Sequence, residues 1–183
     1  MKIATTKKHK TLQTTSLTFA KKQECFAFLK EKITPDQKIM VAISGGADSM
    51  LTACVLYDFY RQEKYPLDNI SFIHCNHSTR SSNADDELLI KNFFVGTNTI
   101  IVTRPSNKKA SEAELRNWRY GEFKTHTKQQ NIAYLIFGHN LTDRIESTFL
   151  NLLRGANLNG FLAMNSEETH HLLGDTKVLR PLL

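Results

Sequence analysis

The segment Ser44-Gly45-Gly46-Ala47-Asp48-Ser49 carries the densest chemical signal in the chain. Two adjacent glycines let backbone N–H groups come close to an anion, and the flanking serine hydroxyls add donors. Where such a turn opens a helix, the helix adds its unpaired first-turn N–H groups and the positive end of its dipole. The product is a cradle for phosphate. It is not the GxxxxGK[ST] loop, because no lysine follows the glycines. Asp48 would repel a bare phosphate, and its place there makes sense when Mg²⁺ lies between carboxylate and phosphate. The plainer alternative is a tight strand-to-helix turn with Asp48 as an N-terminal cap. Strand, Ser-Gly-Gly-x-Asp-Ser and helix taken together favour nucleotide binding.

Three further segments bear chemistry. His74-Cys75-Asn76-His77-Ser78-Thr79-Arg80 offers contacts for adenine, ribose or a substrate, while the following Asp85-Asp86-Glu87 suits the first turn of a helix. For His74 a core position is an equal alternative. In Ser111 to Tyr120, Ser111 and Glu114 have capping-box spacing, and Arg116 and Arg119 are three apart on one helix face. Two such arginines suit phosphate or a nucleic-acid backbone, with a solvated ion-pair face as the alternative. In Gly138 to Ser147, Asp143 and Glu146 are three apart on a helix with His139 above them. A carboxylate pair there suits an ammonium group or a metal, although capping by itself accounts for Asp143.

These segments need elements to position them, and the hydrophobic pattern predicts which. Strand-sized apolar runs are expected at Lys38 to Ile43, Ile70 to Cys75, Thr99 to Thr103 and Ile132 to Phe137. Helical periods alternate with them at Asp48 to Tyr60, Asp85 to Val95, Ser111 to Gln130 and Leu141 to Leu153, after a first helix opening at Ser16 and ending before Pro35. Continuous apolar strands separated by helices predict an α/β domain with a doubly wound parallel sheet. In that architecture ligands bind at the carboxyl ends of the strands, where each segment above stands.

Composition narrows the class. The 183 residues are 40% hydrophobic and 23% charged, as in ordinary globular proteins. No apolar run approaches the roughly 18–20 residues that cross a bilayer. Cys25, Cys54 and Cys75 are odd in number and contain no CxxC pair, which favours a reducing compartment and disfavours zinc or iron–sulfur ligation. The first 22 residues have no apolar h-region, so a cytoplasmic location is expected. The net charge of +6 is not spread evenly: residues 1–22 hold six lysines and no acid, leaving 18 basic and 18 acidic residues in the body. A flexible basic arm over residues 1–15 and a single domain over 16–183 are expected. The arm is favoured over a transit peptide, which would be rich in arginine.

The Ser44 to Ser49 loop resembles the SGGxDS signature of the PP-loop ATP pyrophosphatases. The further segments resemble the tRNA(Ile)-lysidine synthetases within that superfamily: HxNHxxR at His74 to Arg80, an ARxxRY-like run at Leu115 to Tyr120, an HHxDDxxET-like run at His139 to Ser147, LLRGxxLxGxxxM at Leu152 to Met164, and RPLL at Arg180 to Leu183. Asn140 and Thr142 stand where the family often has His and Asp. The resemblance implies a PP-loop Rossmann-type domain and a ligase that uses ATP and Mg²⁺ to adenylate the wobble cytidine of tRNA(Ile) at C2, after which L-lysine displaces AMP. It implies that Ser44, Gly45, Gly46, Ala47, Asp48, Ser49 and His77 bind ATP, with Asp48 on the metal. Asp143 and Glu146 would hold lysine. Arg116 and His139 would face the reacting phosphate and cytidine, and Arg154 would position ATP or tRNA. A homodimer is also implied, and family members continue past RPLL into domains that grip tRNA. Two other readings share the loop: a tRNA 2-thiolating enzyme, which normally uses paired cysteines, and a non-catalytic ATP- or RNA-binding fragment.

Overall fold

Ile39-Met40-Val41-Ala42-Ile43 forms β1 (Ile39–Ile43), with all five residues buried. Side chains alternate across a strand, so β1 feeds two cores. Ile39, Val41 and Ile43 join a cluster with Leu29 of α1 (Phe19–Lys32) and Leu56, Phe59 and Tyr60 of α2 (Ala47–Glu63). Met40 and Ala42 join the opposite cluster with Tyr120 and Phe123 of α3 (Glu112–Gln129). Helices therefore cover both faces, and each fully buried aliphatic or aromatic side chain stabilises this arrangement by roughly 1.5–3 kcal/mol. The computed structural model describes residues 19–76, 90, 92–104, 110–155 and 164–183.

Among the described residues five strands follow β1: β2 (Ile70–Asn76), β3 (Asn98–Thr103), β4 (Tyr134–Ile136), β5 (Glu167–Thr169) and β6 (Lys177–Leu179). The sheet order is β3-β2-β1-β4-β6-β5. β1 pairs parallel with β2 through Ile39↔Ile70 and with β4 through Ile39↔Tyr134. The chain thus winds outward in both directions from the β1/β4 pair, and the crevice beyond their carboxyl ends is the switch point where such folds place ligands. α4 (Leu141–Leu153) starts at that crevice. It turns an apolar face outward, with Leu141, Ile145, Phe149, Leu152 and Leu153 all exposed. Among the described residues, no helix is long and apolar enough to cross a membrane.

The expected α/β architecture is observed, with two corrections. The strand expected at Ile132 to Phe137 is confined to Tyr134–Ile136, because the Ile132 N–H still bonds the Thr127 carbonyl at the exit of α3. The sheet is also not purely parallel: β5 runs antiparallel to β6 at one edge. Lys32 and Lys177 both pair with Glu167 there, which fastens that edge to the end of α1. The expected arm, the Ser16 helix start and most of the Asp85 to Val95 helix lie outside the described residues.

Candidate functional site

β1 hands the chain to a turn through Gly45, whose φ of +84° is a conformation that favours glycine. The buried Ser49 organises this turn from within. Its hydroxyl accepts from the Ser44 N–H (3.1 Å) and the Ser44 hydroxyl (3.0 Å) and donates to the Gly46 carbonyl (2.9 Å). The helix N-cap is Gly46, and no side chain caps it. The first turn of α2 therefore keeps its N–H groups and dipole end available to an anion. Asp48 is exposed in that turn and caps nothing, so the plain capping alternative for Asp48 does not hold.

The turn after β4 is fitted against this loop. A Cβ placed on Gly138 would lie 2.8 Å from the Asp48 carbonyl oxygen and 2.8 Å from the Ser49 Cα. Only a residue without a side chain lets the two strand-end turns approach this closely.

Two cavities flank the loop, and Asp48 lines both. One, of about 380 Å³, opens on the α3 side, where Ser44, Ala47 and Asp48 face Arg116, Arg119, His139 and Asp143. The other, of about 530 Å³, opens on the α1 side between Lys21, Glu24, Asn140 and Arg180. Both fall in the size range of small-molecule sites.

α3 delivers its arginine pair because its start is fixed. The Ser111 hydroxyl accepts from the Glu114 N–H and the Glu114 carboxylate accepts from the Ser111 N–H, the expected capping box. The Arg116 guanidinium lies 5.0 Å above the Tyr120 ring, and Tyr120 stacks on His170 at 4.5 Å. His171 stacks on His170 at 4.8 Å, so Arg116 rests on a pile of three rings.

His139 is enclosed in the wall of the α3-side cavity, and its pKa is lowered first by burial and then by the Arg180 guanidinium, with Asp143 opposing. Arg180, only 4% exposed, donates from Nε to His139 Nδ1 (3.2 Å), from Nη1 to the Asn165 carbonyl (2.9 Å) and from Nη2 to the Glu168 carboxylate (2.6 Å). Neither Arg180 nor Gly138 is among the sequence-predicted site residues. An arginine inside the apolar run Val178-Leu179-Arg180-Pro181-Leu182 is the signal that marks it.

The structure brings Ser44, Gly46, Ala47, Asp48, Ser49, Arg116, His139 and Asp143 around one cavity. It does not bring every expected residue there. Asp143 completes a second capping box, its carboxylate accepting from the Asn140 N–H at 2.9 Å. Glu146 is exposed one turn further on and is outside the lining of both cavities, so the two carboxylates do not converge as the spacing suggests. Arg154 caps the far end of α4, about 20 Å from the crevice at 1.5 Å per residue. It is therefore not beside the phosphate cradle. His77 lies outside the described residues. His74 is a core histidine: it is buried, and its Nδ1–H donates to the Ile43 carbonyl at 2.9 Å.

Among the described residues, no three His, Cys, Asp or Glu side chains cluster as a metal cage. Asp48 and Asp143 are the carboxylates in the α3-side cavity, and Mg²⁺, which keeps its waters and binds through one or two carboxylates plus substrate phosphates, would need no more than these. The cysteines do not form a cluster either, since Cys25 and Cys75 lie in cores on opposite faces of the sheet. Burial pushes the Cys75 thiol, in the cavity lining, up to about 12, against the lowering effect of Arg119.

The profile of the PP-loop domain family matches residues 17–183. The chain is 31% identical over 146 residues to a chloroplastic tRNA(Ile)-lysidine synthase from Gracilaria tenuistipitata var. liui, covering 79% of this chain and 45% of that one. It is 32% identical over 152 residues to the tRNA(Ile)-lysidine synthase of Nostoc sp. (strain PCC 7120), covering 81% and 42%. The chain thus spans less than half the length of these curated relatives. Among solved structures, the fold is similar to a U34-tRNA thiolase of Methanococcus maripaludis with its [4Fe-4S] cluster, at TM-score 0.68 and 19% identity over 89% of this chain and 57% of that one. It is also similar to an FMN adenylyltransferase of Candida glabrata in complex with ATP, at TM-score 0.54 and 16% identity over 90% of this chain and 50% of that one.

Proposed function

The chain belongs to the PP-loop domain family, and on that premise we propose that it is the catalytic domain of a ligase that joins L-lysine to C2 of the wobble cytidine of tRNA(Ile) with the CAU anticodon. The observation that carries this reading is the α3-side cavity, where a phosphate cradle, two arginines, a histidine and a carboxylate face one another. The names of the curated relatives support it. Cys75 lies on the opposite face of the sheet from Cys25 and Cys54, which speaks against the thiolating alternative.

ATP would lie with its β and γ phosphates on the N–H groups of Gly45 to Ser49 and the serine hydroxyls. Asp48 would hold Mg²⁺ against those phosphates, and the ion would offset the charge of the departing pyrophosphate. Arg116, kept in place by the ring pile, would face the α phosphate as the cytidine C2 oxygen attacks it. Adenylation converts that oxygen into a good leaving group. The lysine ε-amine then displaces AMP at C2, and the new bond is carbon to nitrogen. Preorganised charge and positioning are the sources of acceleration, and no covalent enzyme intermediate is required. Asp143, in the cavity lining, would hold the lysine ammonium, Glu146, exposed one turn further on, would draw it in from outside, and Arg154, remote from the cradle, would meet the RNA.

The test is mass analysis of tRNA nucleosides after incubation with ATP, Mg²⁺ and lysine. A lysyl-cytidine adduct with stoichiometric AMP is the expected result. AMP release that needs a sulfur donor, or no release at all, would overturn the reading. For the lysine site, Asp143→Asn and Glu146→Gln are each expected to raise the KM for lysine roughly 10-fold, the scale of one charged hydrogen bond, with ATP binding retained. The asparagine oxygen can still accept from the Asn140 N–H, so the first variant keeps the capping box. Unchanged lysine dependence would remove that residue from the site.

A further inference from the structure

Arg180 links the motif after β6 to the cavity, and it does so through one nitrogen. All three of its guanidinium nitrogens are engaged, and the Glu168 and Asn165 contacts fix the plane in which Nε–H points at His139 Nδ1. Arginine keeps its protons at every physiological pH and accepts no hydrogen bond, so the partner atom must present a lone pair. A neutral imidazole carries one proton, and with Nδ1 accepting that proton sits on Nε2. Among the described residues Arg180 is the ring's one hydrogen-bonding partner, and the ring lines the α3-side cavity beside Arg116, Arg119 and Asp48.

We infer that Arg180 is a positioning residue that locks His139 as the Nε2–H tautomer, making it a neutral hydrogen-bond donor toward substrate oxygen in the cavity and not a proton acceptor. The inference rests on reading that cavity as the substrate site. The charged groups around the ring agree with it. Arg180, Arg116 and Arg119 disfavour an imidazolium, Asp143 at the start of α4 opposes them, and the Asp48 carboxylate lines the same cavity. A neutral donor suits an oxygen that gains negative charge during the reaction, because it stabilises the charge without losing its proton. Arg116 and Arg119 supply positive charge to the same cavity, so the histidine need not be a cation.

Long-range ¹H–¹⁵N NMR of the chain labelled in its histidines tests this directly, with the His139 signals assigned by their loss in His139→Gln. The wild-type ring is expected to show a pyridine-type Nδ1 and a pyrrole-type Nε2 at neutral pH. An Nδ1–H tautomer or an imidazolium at neutral pH would overturn the inference, and this readout needs no variant of Arg180 to fold. In Arg180→Met the ring is expected to titrate at higher pH and to mix tautomers, and kcat to fall about 100-fold with the KM for ATP little changed. Arg180→Lys, which keeps a cationic donor, should restore part of both. A ring that stays locked in Arg180→Met would show that Arg180 is not the cause. Should the nucleoside assay fail while the ring is Nε2–H, the ligase reading falls and the tautomer assignment stands; the reverse outcome removes only the assignment.

Discussion

Asp48→Ala is expected to abolish AMP formation, by about 1,000-fold or more, while the chain melts close to the wild-type temperature. The two halves of that expectation have separate physical grounds. Asp48 is exposed, and among the described residues its carboxylate forms no ion pair and caps no helix. Its one structural contribution is a favourable charge in the first turn of α2, worth about 0.3–1 kcal/mol. Its removal takes from the cradle the carboxylate proposed to seat the divalent ion, and Asp143, tied to the Asn140 N–H across the cavity, is not placed to replace it. Steady-state AMP release and a thermal melt on the same sample check both halves. Full turnover would end the metal role, and a large loss of melting temperature would mean that Asp48 supports the fold.

Gly138→Ala is expected to damage stability and turnover together. The added methyl would meet the Asp48 carbonyl carbon at 2.9 Å as well as its oxygen at 2.8 Å, and both belong to backbone that cannot swing aside. Overpacking of this kind costs about 1–3 kcal/mol. Relief requires the Asp48–Ser49 turn to move, and a displacement of about 1 Å at a positioning element costs on the order of 100-fold in rate. Gly121→Ala is the matched control. Gly121 is in α3 with nothing within 4 Å of an added Cβ, so that change should be neutral or stabilising by about 0.5–1 kcal/mol. If Gly138→Ala keeps the activity and melting temperature of the wild type, the two turns are not in the close contact described.

The parts of this molecule that are legible in the sequence are those set by neighbours in the chain. The apolar run Ile39 to Ile43, the glycine turn and the periodicity after Asp48 declare strand, loop and helix because each signal is contained within a few residues. The capping box at Ser111 and Glu114 is legible for the same reason. β5 and β6 are not, because Glu167-Glu168-Thr169 and Lys177-Val178-Leu179 are three residues each and have no period of their own. Pairing of β6 with β4, of β5 with β6, and the Glu167 ion pairs make them strands. Site residues divide similarly. Arg116 and Arg119 share a face by spacing alone, whereas the bond from Arg180 to His139 joins residues 41 positions apart and exists only once the sheet has closed. Asp143 and Glu146 mark the limit of spacing arguments. Three residues of separation places them on one side of a helix, but the roll of α4 against the sheet decides which carboxylate reaches the crevice.

Asp48 stands in the wall shared by the two cavities, one reached from the α1 side of the sheet and the other from the α3 side. The partition between the chambers is therefore a composite one: an exposed carboxylate on the first turn of a helix, and beside it the Arg180–His139 bond, whose arginine faces one chamber and whose imidazole faces the other.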